Sequence, residues 1–160
     1  MNKDYFLLDL ADLKRVVGKD YTGLLFCFGT SFISQIIMAK TRKYDGEIVP
    51  SHVAMIVGGK YLYESTSATE NVGNKTIPAG VRRYLLSDFY KAEKKKDTKY
   101  LLYDISLPVD ELEKYIHLPY GKDIILEIAL RDGSDGVSKG LICSQYANLV
   151  SKLMPSVKCP

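Results

Sequence analysis

Residues 51–65 read Ser51-His-Val-Ala-Met-Ile-Val57-Gly-Gly59-Lys-Tyr-Leu-Tyr-Glu64-Ser65 (SHVAMIVGGKYLYES). Two runs rich in β-branched and aromatic residues flank a Gly-Gly pair, the pattern of a β-hairpin. His52 opens the first strand and Glu64 lies near the end of the second, twelve positions apart. Side chains alternate between faces along a strand, so an even separation puts both on one face when the loop has an odd length. A Val57-Gly58-Gly59 loop sets His52 directly opposite Glu64. A Gly58-Gly59-Lys60 loop makes them diagonal neighbours, and both separations are within side-chain reach. A two-residue Gly58-Gly59 turn sends them to opposite faces.

Outward from this hairpin the elements are short. Leu24 to Phe28 (LLFCF) reads as a buried strand, with Cys27 a small buried hydrophobe inside it. Residues 4–17 read as an amphipathic helix with Leu7, Leu8, Leu10, Leu13 and Val16 or Val17 on its apolar side. Ser31 can cap a helix through about Lys40, and Asp45-Gly46 is a turn signal. Residues 66–79 read as loop, Val81 to Leu85 as a strand, and Ser87-Asp88 as the start of a helix. Tyr100 to Leu107 reads as another strand, and Pro108 as the first residue of a helix through Ile116. Ile124 to Leu130 reads as helical, residues 132–136 as a turn cluster, and Cys143 to Leu153 as the last helix. Four strands with scattered helices and no alternating βαβ order predict an α+β fold with an antiparallel sheet. No linker or repeat divides the 160 residues, so a single domain over 1–160 is expected.

Composition narrows the function classes. The formal charge of +3 is too slight for a nucleic-acid partner to be expected. The basic run Lys91 to Lys99 (KAEKKKDTK) reads as a solvated helix end and loop. Three cysteines, Cys27, Cys143 and Cys159, form no disulfide framework and no zinc-site spacing, so no metal is expected. Residues 132–136 lack the acid spacing of a calcium loop. With no secretory leader and no apolar run of membrane length, a soluble cytoplasmic protein is expected, delivery with a phage particle being the other route. The pattern selects no oligomeric state.

The chemistry-bearing residues converge on few positions. Of two histidines, His117 ends a predicted helix, where the dipole favours it; His52 has no such explanation. A nucleophilic cysteine needs a lowered pKa, a histidine to take its proton, and a third group to orient that histidine. Cys143 at a helix start after Gly140, His52 and Glu64 fit those three roles. Cys159, beside the terminal Pro160, is poorly held for such work.

At these residues the sequence resembles the circularly permuted NlpC/P60 papain-like enzymes, in which histidine precedes cysteine. It resembles the YiiX-like hydrolases among these, and lecithin retinol acyltransferase-type proteins share the permuted order. The resemblance rests on Ser51-His52-Val53, Tyr63-Glu64-Ser65-Thr66, Gly80-Val81-Arg82, Leu86-Ser87-Asp88-Phe89 and Cys143-Ser144-Gln145, and spans about residues 21–154. Gln145 stands where the bacterial relatives often carry Glu. The resemblance implies a papain-like fold, Cys143 as nucleophile, His52 as base and then acid, and Glu64 as orienting group. The Cys143 backbone N–H would be one oxyanion donor and Tyr120 a second. No cofactor is implied. The substrate would be a peptide or another acyl-bearing molecule. A lipid-directed acyl hydrolase or acyltransferase is the alternative; it would need an apolar groove or membrane-seeking stretch such as Phe32, Ile33, Ile36, Ile37 and Met38, whose expected use is core packing. A non-catalytic binding module is a third.

Overall fold

A computed structural model of the chain describes residues 6–29 and 50–121. The expected helices at Ser31 to Lys40 and Cys143 to Leu153, the Asp45-Gly46 turn, the run at Ile124 to Leu130, the turn cluster at 132–136, and Cys159 lie outside those residues. What is described is α+β. Seven strands occur among the described residues: β1 (Gly23–Phe28), β2 (His52–Val57), β3 (Tyr61–Thr66), β4 (Glu70–Val72), β5 (Lys75–Ile77), β6 (Gly80–Leu85) and β7 (Lys99–Asp104). Three helices accompany them: α1 (Leu10–Val16), α2 (Leu86–Glu93) and α3 (Val109–Lys114). Five strands form one sheet in the order β6-β3-β2-β1-β7, each pair antiparallel, and β4-β5 form a separate hairpin.

Strand alternation divides the core between the two faces of the sheet. Leu24, Val53, Met55, Tyr63 and Val81 point to one face and pack under Leu107 and Leu112 of the α3 segment. Leu25, Cys27, Ala54, Ile56 and Leu62 point to the other, beneath Leu13 of α1 and Leu86 and Phe89 of α2. Central β2 is covered on both sides, which is why Val53 to Ile56 are all apolar and buried. Cys27 is 6% exposed within this core, as its apolar neighbours predict. No helix among the described residues is long and apolar enough to cross a membrane.

The β2–β3 connection takes the Gly58-Gly59-Lys60 form: Val57 pairs with Tyr61, and Ala54 with Glu64. Gly58 and Gly59 adopt φ of +58° and +57°, where a Cβ carries a steric cost. Gly59 has a second constraint, because a Cβ there would lie 2.1 Å from the Gly18 carbonyl oxygen. The chain before β1 is thereby packed against the hairpin tip, and the Gly59 N–H donates to the Tyr21 carbonyl at 2.7 Å.

Five local expectations need correction. The first helix covers only Leu10–Val16. Leu8 instead exchanges both backbone hydrogen bonds with Tyr100, each 2.8 Å, and Asp9 caps the helix by accepting the Asp12 N–H. The 66–79 segment contains the β4–β5 hairpin, turned at Gly73 (φ +60°), with Val72 and Ile77 buried. Strands of three residues are too short for alternation to reveal. The strand expected over Tyr100 to Leu107 is Lys99–Asp104, and Pro108 caps α3 rather than starting it, the helix closing at Lys114. His117 lies past that helix at φ +74°. Its backbone holds it there: the His117 N–H donates to the Val81 carbonyl (2.9 Å), and the Val81 N–H to the Leu118 carbonyl (2.8 Å). Gly80 permits this approach, since a Cβ there would sit 2.6 Å from the Leu118 oxygen.

The two hairpin glycines should respond differently to the same substitution. Gly58→Ala has open space and should be destabilised only by the left-handed strain it introduces, roughly 1–2 kcal/mol. Gly59→Ala should add an overpacking cost of roughly 1–3 kcal/mol. Urea denaturation of both variants checks the order; equal losses would contradict the packing of residue 18 against the loop.

Candidate active site

The start of β2 is fixed by Ser51. Its backbone N–H and hydroxyl both reach the Cys27 carbonyl, at 2.9 and 3.2 Å, while its Oγ accepts the Gly29 N–H at 3.0 Å. His52 therefore begins the strand in a set register, directly across from Cys27. One step along, Ala54 faces Glu64, and Glu64 faces Arg82 on β6. Because alternate residues share a face, His52, Glu64, Arg82 and Tyr84 all lie on the face that carries α1 and α2.

His52 and Glu64 are thus diagonal neighbours, and their side chains meet: Nε2 of His52 is 2.6 Å from Oε2 of Glu64. The second carboxylate oxygen is fully engaged. Oε1 accepts from Arg82 Nε (2.9 Å), Arg82 Nη2 (2.7 Å) and the Tyr84 hydroxyl (2.7 Å). The remaining Arg82 nitrogen, Nη1, donates to the carbonyls of Ala68 (2.9 Å), Ile77 (3.3 Å) and Pro78 (3.1 Å). The guanidinium also lies over the Tyr84 ring, 4.9 Å from its centroid. The Glu64 and Arg82 side chains are 5% and 6% exposed, whereas that of His52 is 25% exposed. The group with a proton to exchange is the one left near solvent.

These contacts decide the charge state. Burial acts to raise the Glu64 pKa, but the His52 hydrogen bond, the His52 and Arg82 charges and the Tyr84 hydroxyl outweigh it and hold it at about 2, against an ordinary 4.5. Burial acts to lower the Arg82 pKa, and the Glu64 charge more than offsets it. Burial and then the neighbouring carboxylate push the Tyr84 phenol well above its usual range. Glu64 is therefore an anion that only accepts hydrogen bonds, so the proton between it and His52 belongs to Nε2. In the neutral imidazole that leaves Nδ1 as the basic nitrogen, the arrangement a general base needs.

Of the residues singled out from sequence, His52 and Glu64 are brought together. Cys143 lies outside the described residues. Half-buried Tyr120 follows the 117–118 stretch on the edge of β6 beside Gly80. Gly80 pairs with Thr66, at the same end of the sheet as His52. His117 is anchored on β6 by its backbone. Among the described residues, no group of three or more His, Cys, Asp or Glu could hold a metal ion. Sequence reasoning gave no role to Arg82 and Tyr84, and it did not foresee Cys27 opposite His52. A partial signal existed: Arg82 and Tyr84 share one parity in β6, and a buried acid on β3 requires a cation. Their register against β3 depended on the length of the 66–79 excursion, which spacing could not supply. Comparisons of the chain with family models, curated proteins and solved structures returned no match.

The depressed Glu64 pKa has a signed consequence for stability. The folded value (about 2) lies below the ordinary one (4.5), so this stabilisation is fully present above pH 4.5 and lost as pH falls towards 2. Its size is on the order of 3 kcal/mol. Glu64→Gln should lower stability at neutral pH, because Arg82 loses its counter-charge, and should flatten the decline between pH 4.5 and 2. Denaturation curves across that range test this; an equally steep acid limb in the variant would contradict it.

Proposed function

We propose that this chain is a thiol hydrolase of circularly permuted papain-like architecture. It would cleave peptide or related acyl bonds through Cys143, with His52 as base and Glu64 as the group that orients it. The observation that carries the reading is the 2.6 Å contact between His52 Nε2 and a buried Glu64 carboxylate. It joins the two residues that the histidine-before-cysteine order assigns to base and orienter. An antiparallel sheet with the histidine on one strand and its acid on the next also supports it.

In this mechanism His52 Nδ1 takes the Cys143 thiol proton while Nε2–H stays bonded to Glu64. The thiolate attacks the carbonyl carbon, and the backbone N–H of Cys143, with Tyr120 as second donor, receives the developing oxyanion. The imidazolium returns its proton to the leaving amine or alcohol. Water, deprotonated by the same Nδ1, then releases the acid and restores the thiol. The carboxylate of Glu64 stabilises the imidazolium without itself becoming protonated.

The test is the rate of Cys143 alkylation by iodoacetamide against pH. Cys27 faces the same histidine across the sheet, so the measurement is made in a Cys27→Ser, Cys159→Ser background. A thiolate reactive well below the free-cysteine pKa of about 8.5 is expected. Reactivity near pH 7 should drop on the order of 10²-fold in His52→Ala and by less in Glu64→Gln. Reactivity indifferent to His52 in a folded protein would sink the enzyme reading.

A further inference from the structure

Glu64 makes unequal use of its two oxygens. Oε2 meets His52 alone among the contacts above, while Oε1 accepts three donors, two of them from Arg82. A carboxylate oxygen has two in-plane lone pairs, and the fork of Nε and Nη2 approaches within the plane of the guanidinium. Both arms of the fork converge on the one oxygen Oε1, so the pairing anchors that oxygen, and through it the reach of Oε2 to His52, as well as the charge. A lysine at this position could supply the charge but not the fork.

Arg82 is itself held from a second direction. Its Nη1 donates to three backbone carbonyls, Ala68 before β4, Ile77 at the end of β5 and Pro78 just after it. These are the two feet of the β4–β5 arm. The arm is further tied down by Lys96, which reaches Glu70 at 3.2 Å and Glu93 at 2.8 Å, and by the burial of Val72 and Ile77. One guanidinium thus spans from the arm's feet to the acid that holds His52, and it is 6% exposed on its side chain.

We infer that Arg82 is a positioning residue: through its fork on Glu64 and its grip on the carbonyls of Ala68, Ile77 and Pro78, it fixes the His52 imidazole and makes the β4–β5 arm part of the base's support. The role rests on the His52 reading above, and it is separable from it by experiment. Charge compensation alone predicts that Lys can replace Arg82. Positioning predicts that it cannot.

The readout is the His52 ring Nε2–H proton in the NMR spectrum of the full chain. His117→Asn removes the only other imidazole; Asn tolerates the left-handed backbone at that position. A downfield, exchange-protected signal is expected from an N–H bonded to a buried carboxylate. Arg82→Lys should abolish that signal or speed its exchange with water by about tenfold or more. Tenfold is the rate equivalent of weakening that hydrogen bond by about 1.4 kcal/mol. The backbone amide spectrum should stay folded. Arg82→Met should do the same if it folds, and Tyr84→Phe, which spares the fork, should have the smaller effect. An unchanged His52 signal in folded Arg82→Lys would overturn the inference, as would unfolding of both Arg82 variants, which would make Arg82 a folding staple. If the signal depends on Arg82 while Cys143 alkylation ignores His52→Ala, the positioning role stands and the thiol-hydrolase reading falls.

Discussion

A carboxylate buried at the polar end of an otherwise apolar sheet face is the constraint on which this site depends. Glu64 is 4% exposed, and taking an ionised carboxylate out of water is costly unless its charge and lone pairs are met. Four hydrogen bonds meet them, one from His52, two from Arg82 and one from Tyr84. Removing one partner would leave a buried charge unmet. The cluster therefore behaves as a unit, and the surrounding strands must hold the register that assembles it.

That requirement reaches well beyond the residues in contact. The Gly58-Gly59-Lys60 loop sets β2 against β3 so that His52 falls diagonal to Glu64. A one-residue slip would turn His52 to the opposite face of the sheet. The β4–β5 arm lies between β3 and β6 in sequence, and its feet accept hydrogen bonds from Arg82. The length of that excursion brings β6 back with Arg82 opposite Glu64. On the outer side of β6, the 117–118 stretch bonds to Val81, covering part of an edge that would otherwise leave backbone groups unpaired.

Burial and chemistry are divided between the partners in a way that suits proton transfer. The anion is placed inside, where it cannot take up a proton near neutral pH, while the imidazole it holds is partly exposed. Buried ion pairs often add little net stability compared with apolar packing, so the Glu64–Arg82 pair is better understood through the geometry it enforces. Its orientation of a single imidazole nitrogen is what an apolar replacement could not reproduce.

Much of the central sheet was legible from local pattern. The runs at Leu24 to Phe28, 51–57, 60–65 and Val81 to Leu85 announce strands by composition and alternation, and the twelve-residue separation made His52 and Glu64 a candidate pair. Asp9 as a cap, the Leu8 bridge to Tyr100 and the three-residue strands of the arm were not legible, because tertiary partners settle segments too short to carry a period. The sequence by itself determined the central strands and limited His52 and Glu64 to three relations. The tertiary structure chose the diagonal one, through left-handed Gly58 and Gly59, the second of them packed against residue 18. It also recruited Arg82 and Tyr84, because register across an intervening hairpin is a property of the assembled sheet and of no local stretch of chain.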